Sequence, residues 1–378
     1  AEEKRYELLK RTLLVARQNQ QLANLDNRII LGLIPSGELL KNFANSYQGL
    51  KTGDDPKYRR YFWEINFPYQ NWKLYQTTTN EQTYYGGRML VINWKNHGQD
   101  MARKQGVSAW KKDGVAINQM GNFPATLYSG DIYDSNLTVI IPNSEIGLSA
   151  LWAFCKSSEF KTALRKIDKG IKVTNSSFTK VPFDLEKWQK VAEEKYPNDL
   201  PKPYSNDPTQ WLFSGYPIDS AESLQVAVTR LLGYCWPEQG DDNLASIVDE
   251  DGIVPLVSAG REIPAADRLR ELLDAAYGDE WSADKQAKLL ANAGFVGKSL
   301  DDWLRDSFFK QHVKLFKKRP FIWHIWDGRK DGFHALVNYH KLDTAALDRL
   351  IYTYLGSWIE LQRGQRNFGE PGADGRLV

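Results

Sequence analysis

Cysteine is scarce in this sequence, and no long apolar segment occurs in it. The two cysteines, Cys155 and Cys235, lie far apart in apolar surroundings, which argues against a disulfide scaffold and predicts buried, reduced thiols. No apolar run approaches the length of a membrane-spanning helix, and the first residues are too charged for a signal peptide. We therefore expect a cytoplasmic protein with no membrane partner.

The sequence also lacks the short motifs of common catalytic and cofactor sites. Neither a GxGxxG turn nor a Walker A loop occurs, so no unit for a dinucleotide or for S-adenosylmethionine is predicted. The motifs GxSxG and HExxH and paired cysteines at zinc spacing are absent as well. We therefore predict that this chain carries no catalytic residue, no cofactor-binding residue and no metal ligand.

Histidine offers a weak metal alternative near the C-terminus. Four of the five histidines fall in the last part of the chain, at spacings that match no standard ligand pattern. These residues are His312, His324, His334 and His340. His324 and His334 could be neighbours across a hairpin, so a metal-dependent nuclease stays open as an alternative to structural or polyanion-contacting histidines.

One stretch resembles a catalytic loop. Asn66, Phe67, Pro68 and Tyr69 are similar to the Asn-Pro-Pro-Tyr loop of amino-group DNA methyltransferases, which binds the target amine and stacks on a flipped base. Here Phe67 replaces the first proline, so the rigid carbonyl of that loop is lost. Too few residues precede the stretch for a cofactor-binding region. We therefore interpret it as ordinary strand packing.

Charge is distributed unevenly, although the net charge is only +2. Residues 1–185 carry 25 Lys/Arg and 17 Asp/Glu, residues 186–306 carry 12 and 23, and residues 307–378 carry 12 and 7. The net charges of the three parts are therefore +8, −11 and +5. Basic ends around an acidic middle predict a surface for a polyanion on the first and last parts, with solvated surface charge as the alternative.

The pattern of apolar residues indicates an α+β protein. Helical spacing is found over residues 3–25 and 38–47, whereas over residues 60–145 short aromatic and β-branched runs alternate with turns. Helical patterns dominate the rest, apart from a flexible acidic loop over residues 237–263 and an aromatic hairpin over residues 319–340. We predict a β-rich domain with flanking helices, followed by a mainly helical domain with a β-hairpin.

Cations and aromatic rings follow a tight turn near residue 52. Lys57, Arg59 and Arg60 lie among aromatic residues, a combination that suits phosphate contact. An ion pair with the acidic residues of this turn is the alternative role of Arg60. Lysine and arginine give phosphate affinity, and arginine and asparagine read base edges, so nucleic acid is the leading partner. The candidate DNA-binding residues are Lys51, Thr52, Lys57, Arg59, Arg60, Lys73, Arg88, Lys95, Lys111, Lys112, Lys172, Thr174, Asn175, Lys180, Lys317, Lys318, Arg319, Arg329 and Lys330.

A family resemblance begins at the same place. A Gly-x-x-Thr-Gly-Asp turn and an aromatic-Arg-Phe-Trp segment are formed by Gly49, Thr52, Gly53, Asp54, Tyr58, Arg60, Phe62 and Trp63. This pattern resembles the start of the target-recognition domain in adenine-specific DNA methyltransferases of restriction–modification systems and of BREX and DISARM phage defence. Residues 109–142 and 317–343 resemble that family's recognition-domain strands and its C-terminal end.

The resemblance implies a division of labour. The family's cofactor motif and catalytic loop should precede residue 1, so we expect a fragment or a separate subunit that is inactive alone. S-adenosylmethionine is expected on the missing catalytic half. The implied domains are a helical link over residues 1–47, a target-recognition domain over 48–185, a mainly helical domain over 186–362 and a flexible tail over 363–378.

The expected partners follow from the same resemblance. They are double-stranded DNA, a catalytic methyltransferase domain or subunit, and other phage-defence proteins. A stand-alone, non-catalytic specificity subunit or adapter of a defence complex is the alternative function.

Overall fold

The computed structural model describes residues 5–6, 9–10, 17–22, 37–66, 70–260 and 262–377. The helix predicted over residues 3–25 lies mostly outside these described residues. So do Phe67, Pro68 and Tyr69 of the stretch that resembles a catalytic loop. Within the part that is described, no helix is both long and apolar enough to cross a bilayer.

The described chain contains both helices and strands, largely in separate runs, which confirms the predicted α+β class. The strands are β1 (Glu38–Leu39), β2 (Ala44–Gln48), β3 (Arg59–Tyr61), β4 (Trp72–Gln76), β5 (Leu90–Asn93), β6 (Asp113–Asn118), β7 (Ala125–Ser129), β8 (Ile132–Tyr133), β9 (Leu137–Pro142), β10 (Pro182–Phe183), β11 (Ile253–Pro255), β12 (Ile322–Trp326) and β13 (His334–Asn338). The α-helices are Gln18–Leu22, Asp55–Tyr58, Leu148–Cys155, Ser158–Ile167, Leu185–Lys195, Ser223–Leu231, Ala265–Tyr277, Ala283–Asn292, Leu300–Trp303, Phe309–Leu315, Thr344–Asp348, Gly356–Asn367 and Ala373–Arg376.

The chain divides into two compact units. The first unit comprises the described residues of segments 1–58, 74–87 and 94–203, and the second those of 59–73, 88–93 and 204–378. The cation-rich stretch after the turn is therefore split between the units after Tyr58. The functional domains predicted over residues 48–185 and 186–362 stay predictions.

The main sheet of the first unit is antiparallel, with the strand order β2-β9-β6-β7. Val115, Ile117 and Ile140 are buried in one apolar cluster, whereas Ala116 and Val139 belong to another. Successive residues of a strand point to opposite faces, so both faces of this sheet are covered. That explains why β9 is apolar over nearly its whole length instead of alternating with polar residues.

Aromatic rings fill the larger of these two clusters. The ring of Phe154, on helix Leu148–Cys155, lies 5.2 Å from Phe160, 5.0 Å from Phe183 and 5.2 Å from Trp188, measured between centroids. Ser157 and Asp184 cap the next two helices by accepting bonds from Phe160 N and Lys187 N. The sheet is thereby backed by a fixed helical layer.

The prediction of a helix over residues 38–47 is wrong. The segment forms β1 and β2, which pair antiparallel with β10 and β9. Leu40 and Phe43 are buried in the larger apolar cluster of the first unit. Their spacing fits a helix equally well, but pairing with distant strands decides the structure because tertiary contacts override local propensity.

A three-stranded sheet with the order β11-β13-β12 organises the C-terminal part of the second unit. It contains the hairpin predicted over residues 319–340, in which Trp326 pairs with His334. The predicted acidic loop over residues 237–263 needs correction, because it contains β11. Ile253 and Val254 are fully buried and pair with β13, so these apolar residues belong to the core and not to a flexible loop.

The last helical region differs from its prediction. Helix Gly356–Asn367 reaches into the segment 363–378, and helix Ala373–Arg376 follows. The Arg376 side chain donates to the side-chain amide oxygens of Gln362 and Gln365, and Ala373 is fully buried. These contacts give helical structure to a segment for which the sequence predicts a flexible tail.

The two cysteines also differ from each other. Cys155 is buried, as predicted, whereas Cys235 is exposed. The rings of Tyr234 and Trp236, on either side of Cys235, are buried, so the apolar neighbours fill the core and the thiol between them does not.

Candidate nucleic-acid interface

The Thr-Gly-Asp turn of the first unit is held by its own polar groups. Thr52 is buried and its hydroxyl donates to the Asp55 carboxylate, while Lys57 N donates to Asp54 Oδ1 over 3.2 Å. Gly53 has a φ of +84°, which a residue with a side chain rarely adopts. The hydroxyl of Thr52 is therefore used inside the turn, and Thr52 is not an accessible candidate for DNA contact.

Gly49 fixes the start of this turn. A Cβ atom added to Gly49 would lie 2.2 Å from the carbonyl oxygen of Asp134 and 2.4 Å from that of Tyr133. Leu50 N donates to Tyr133 O over 2.8 Å, so the two chain segments are in direct backbone contact. Glycine is required here because the backbones approach too closely for any side chain.

Lys57 is exposed immediately after the turn. Its Nζ lies 5.0 Å from the centre of the Tyr58 ring, and interaction with the Tyr58 hydroxyl raises the pKa of Lys57. The hydroxyl of Tyr58 donates to Asp100 O over 3.0 Å. The ring is thereby anchored, and it supports a lysine that is charged at neutral pH.

Backbone pairing brings further cations to this turn. Lys51 and Arg103 exchange two backbone hydrogen bonds of 3.0 Å, and Lys104 follows with its Nζ 5.5 Å from the Trp94 ring centre. Ser135 N donates to Leu50 O over 3.0 Å, and the neighbouring Asn136 accepts a 2.9 Å bond from Lys172 Nζ. We name this set the turn cation cluster: Lys51, Lys57, Arg103, Lys104 and Lys172, all of which are exposed.

Sequence reasoning missed Arg103 and Lys104. They lie in a loop without apolar periodicity, and nothing local indicates that the loop pairs with residue 51. The signal that was available is the run Arg103-Lys104 itself, next to the aromatic Trp94 and Trp110.

The other candidates of the first unit are more scattered. Lys95, Lys111, Lys112 and Thr174 are exposed, and Lys180 is half-buried. Lys111 has a φ of +59° and donates its N–H to Gly130 O, so it occupies a fixed bend before β6. Asn175 is also half-buried, and its Nδ2 donates to Ser46 O over 3.2 Å, so the amide of Asn175 is engaged within the protein.

The segment after Tyr58 has a different environment, inside the second unit. Trp63 is fully buried, its indole N–H donates to Arg319 O over 3.1 Å, and its ring packs edge-on against Phe316. His340 Nε2 lies 2.8 Å from Trp63 O and must donate, since a carbonyl only accepts. The segment is thus joined to the region that precedes and follows the hairpin of β12 and β13.

Arg59 and Arg60 belong to β3 and pair with Ile92 and Val91 of β5. Both are half-buried, and Arg60 Nη1 donates to Arg59 O over 2.7 Å. Lys73, also in the second unit, is exposed. Arg88 is fully buried, and its backbone N–H and C=O bond to Gln210 and Trp211. Arg88 is therefore not a surface cation and is not accessible for DNA contact.

One cationic turn precedes the β12–β13 hairpin, and a second connects its two strands. Lys317 and Lys318 are exposed and have φ values of +56° and +62°. Arg319 is exposed, with its Nε 3.6 Å from Glu64 Oε1. Arg329 and Lys330 are exposed in the turn itself, where Arg329 N donates to Asp327 Oδ1 over 2.9 Å.

The hairpin histidines are neighbours, as predicted, and their hydrogen bonds define their tautomers. His334 Nε2 lies 2.7 Å from Arg329 O, so it carries the proton, and His334 Nδ1 accepts from His324 Nε2 over 2.9 Å. Burial, with a contribution from the His334 ring, lowers the pKa of His324 to about 4. His324 is therefore neutral at pH 7, and the nitrogens of the two rings bond to each other and to the backbone.

His312 is engaged through one of its ring nitrogens. His312 is fully buried, its Nε2 accepts from Ile322 N over 3.2 Å, and burial lowers its pKa to about 3. Among the described residues, no group of three or more His, Cys, Asp or Glu side chains could hold a metal ion. The metal-dependent nuclease alternative therefore lacks a ligand set in this part of the chain.

Comparison with known proteins relates part of this chain to adenine-specific methyltransferases. No protein-family model matches it. Over 121 residues the chain is 32% identical to the adenine-specific methyltransferase PglX of Lacticaseibacillus casei (strain Zhang), which covers 30% of this chain and 10% of that protein. Over 125 residues it is 28% identical to the adenine-specific methyltransferase BrxX of Escherichia coli O9:H4 (strain HS), covering 28% of this chain and 10% of that protein.

The chain matches only about a tenth of the length of these curated relatives. The similarity agrees with the methyltransferase relationship that the motif at residues 49–63 implies. The finer assignment to a target-recognition half is a proposal.

Proposed function

We propose that this chain is the double-stranded DNA recognition part of a site-specific adenine-N6 DNA methyltransferase of the restriction–modification or phage-defence type. The observation that carries the proposal is the partial similarity to two adenine-specific methyltransferases. An enzyme of this class must extract an adenine from the duplex, which requires a firm grip on the flanking DNA. The exposed cations of both units are the groups that suit such a grip.

The turn cation cluster is the strongest candidate for phosphate contact. Its members are exposed, and backbone hydrogen bonds fix the main chain that carries Lys51, Lys57 and Arg103. Lys317, Lys318, Arg329 and Lys330 provide a second exposed set in the other unit. Lys111 and Lys112 extend the first set along the loop before β6. Phosphate contacts position a protein on DNA, and the few side chains that reach base edges give specificity.

The residues that the structure describes do not fit S-adenosylmethionine. The parallel pair of β4 and β8 covers only two residues from each strand, and no α-helix connects those strands. A cofactor unit of that kind needs a glycine turn between a parallel strand and a helix. We therefore assign methyl transfer to a catalytic domain or subunit outside this chain.

Duplex binding at varied salt tests the proposal. We expect the purified chain to bind a 30-base-pair duplex with an affinity that falls steeply as the salt concentration rises. We expect the simultaneous substitution of Lys51, Lys57 and Arg103 by glutamine to make the negative slope of log K against log salt shallower. The change should be about 0.9 per lost phosphate contact, so nearly 3 in all. Fluorescence anisotropy over a range of sodium chloride concentrations measures both quantities.

A matched control carries the same change in charge. Lys187, Lys190 and Lys195 are exposed on helix Leu185–Lys195, and their replacement by glutamine should leave the slope nearly unchanged. Equal slopes for the two triple variants would refute the role of the turn cation cluster. Absence of salt-dependent duplex binding by the parent chain would refute the proposed function itself.

A further inference from the structure

A cavity in the second unit shares only Arg329 with the cations proposed above for DNA contact. Its volume is about 700 Å³, within the range of small-molecule sites. Three elements line it: the hairpin of β12 and β13, the segment Arg349–Leu355 and the helices that follow. The segment Arg349–Leu355 is a π-helical stretch between two α-helices, and such stretches are frequent at functional sites.

The floor of the cavity is apolar. Phe333 and Trp358 are buried with ring centroids 6.1 Å apart, and Leu350 and Leu355 of the π-helical stretch lie beside them. Ile351 is 42% exposed and also lines the cavity. A ligand that enters must therefore bring an apolar or aromatic surface to gain from burial there.

The indole ring of Trp326 provides a flat aromatic surface in the cavity on which such a ligand can stack. Its ring centroid lies 5.9 Å from His324 and 5.5 Å from His334, while the two imidazoles are 5.1 Å apart. Imidazoles on opposite faces of the indole would be about twice as far from each other, so both lie on the same side. The opposite face is not covered by them, and the indole is 51% exposed where it lines the cavity.

The mouth of the cavity is cationic. Four arginines line it against one aspartate, Asp327. The arginines are Arg329, Arg363, Arg366 and Arg376.

Ion pairs of these arginines do not prevent ligand binding. Arg363 pairs with Glu360 at 2.5 Å and Arg366 with Asp374 at 3.7 Å. Both partners of each of these two pairs have side chains that are at least half exposed. Exposed pairs of this kind contribute little and are readily exchanged for another anion.

Arg376 is held more firmly. Its side chain bonds to the neutral amides of Gln362 and Gln365, and its Nη1 lies 4.0 Å from the Asp331 carboxylate. Its side chain is only 18% exposed. Neutral amides orient a guanidinium without cancelling its charge, so Arg376 keeps a fixed cationic group at the cavity.

We propose that this cavity binds a nucleotide. The base stacks on the open face of Trp326, and the phosphate pairs with Arg366 and Arg376. Base stacking on an aromatic ring and guanidinium–phosphate pairing are the two contacts that this arrangement provides together. An acidic peptide would satisfy the arginines, but it would leave the indole face unused. The nucleotide is either free in solution or one unit of a nucleic-acid strand, since both present the same chemistry.

Calorimetric titration with ADP tests the site on the full chain. We expect Trp326→Leu and Arg366→Gln to weaken ADP binding at least tenfold each. Trp323→Leu and Arg270→Gln are the matched controls, because Trp323 is 44% exposed on the same strand and Arg270 is a paired surface arginine, and neither lines the cavity. Both controls should bind ADP as the parent does. Arg366 is exposed, so its substitution should not prevent folding even if a change at Arg376 does.

Further arms identify the source of the nucleotide. ADP binding that a single-stranded oligothymidylate does not displace supports a free nucleotide, and displacement by the oligonucleotide supports a unit within a strand. Pyrophosphate binding as tight as that of ADP, with no effect of Trp326→Leu, would overturn the stacking role. Binding of a glutamate-rich peptide but not of ADP or the oligonucleotide, or binding of none of them, would overturn the proposal.

The outcome is separable from that of the proposed function. The triple variant of Lys51, Lys57 and Arg103 should bind ADP normally, because none of these residues lines the cavity. Arg366→Gln tested in the duplex assay shows in turn whether the cavity contributes to DNA binding.

Discussion

Two halves of one sequence motif are stabilised in different ways. Residues 49–58, in the first unit, form a turn that is held by the contact of Thr52 with Asp55 and by backbone hydrogen bonds to Arg103, Tyr133 and Ser135. In residues 59–64, which belong to the second unit, Trp63 bonds to Arg319 and His340, which lie more than 250 positions away. A continuous sequence motif therefore need not be one structural element, and its two halves can be disrupted separately.

The largest expected effect is that of Trp63→Ala. Trp63 is fully buried and bonds to Arg319, so its truncation leaves a cavity and an unpaired carbonyl. We expect a loss of about 3–5 kcal/mol in the free energy of unfolding of the second unit. Hydrogen exchange by mass spectrometry, combined with urea unfolding, measures this loss region by region. Trp323→Ala, at a 44% exposed tryptophan, should lower that free energy far less. Equal losses for the two variants would contradict the anchoring role of Trp63.

The corresponding test in the first unit is Gly49→Ala. The added Cβ would lie 2.2 Å from Asp134 O, and backbone atoms cannot move aside as a flexible side chain can. We expect a loss of roughly 3 kcal/mol, at the upper end of the range for overpacking, confined to the first unit. Gly37→Ala is the control, because nothing lies within 4 Å of its added Cβ. If hydrogen exchange increased mainly in the second unit, the separation of the two halves would be wrong.

Sequence reasoning found features that depend on short-range pattern. The β12–β13 hairpin and the contact of His324 with His334 follow from alternating aromatic residues and two Asp-Gly turns. The strands β6, β7 and β9 follow from β-branched runs between glycine turns. The turn at Thr52-Gly53 was recognisable for the same reason.

The failures involve partners that are distant in the sequence. Arg88 looks like any turn arginine, and only the packing of residues 210–211 on its backbone shows that it is buried. Arg103 joins Lys51 through a bridge that no local pattern encodes. Trp326 lines the same cavity as arginines of the last helices because those helices return to the hairpin. The sequence alone therefore could not show which charged residues are exposed or which of them lie together.

Taken per residue, the smallest of the three stability effects is the response to acid, which again separates the units. Burial lowers the pKa of His312 to about 3 and that of His324 to about 4, and it also lowers that of His340. A depressed histidine pKa favours the neutral folded form, so stability is complete above pH 6.5 and declines as the pH falls toward the folded-state value. For His312 alone, the loss between pH 7 and pH 5 is on the order of 2 kcal/mol.

These histidines lie in the second unit, whereas His97, the histidine of the first unit, is exposed. Hydrogen exchange at pH 7 and pH 5, corrected for the intrinsic exchange rate, should therefore show a loss of protection in the second unit that is larger than in the first. His312→Gln keeps an acceptor for Ile322 N and removes the titration, so it should reduce this pH dependence. His97→Asn should leave it unchanged, since asparagine tolerates the positive φ at that position. A uniform loss of protection across both units would show that the buried histidines do not control the acid response.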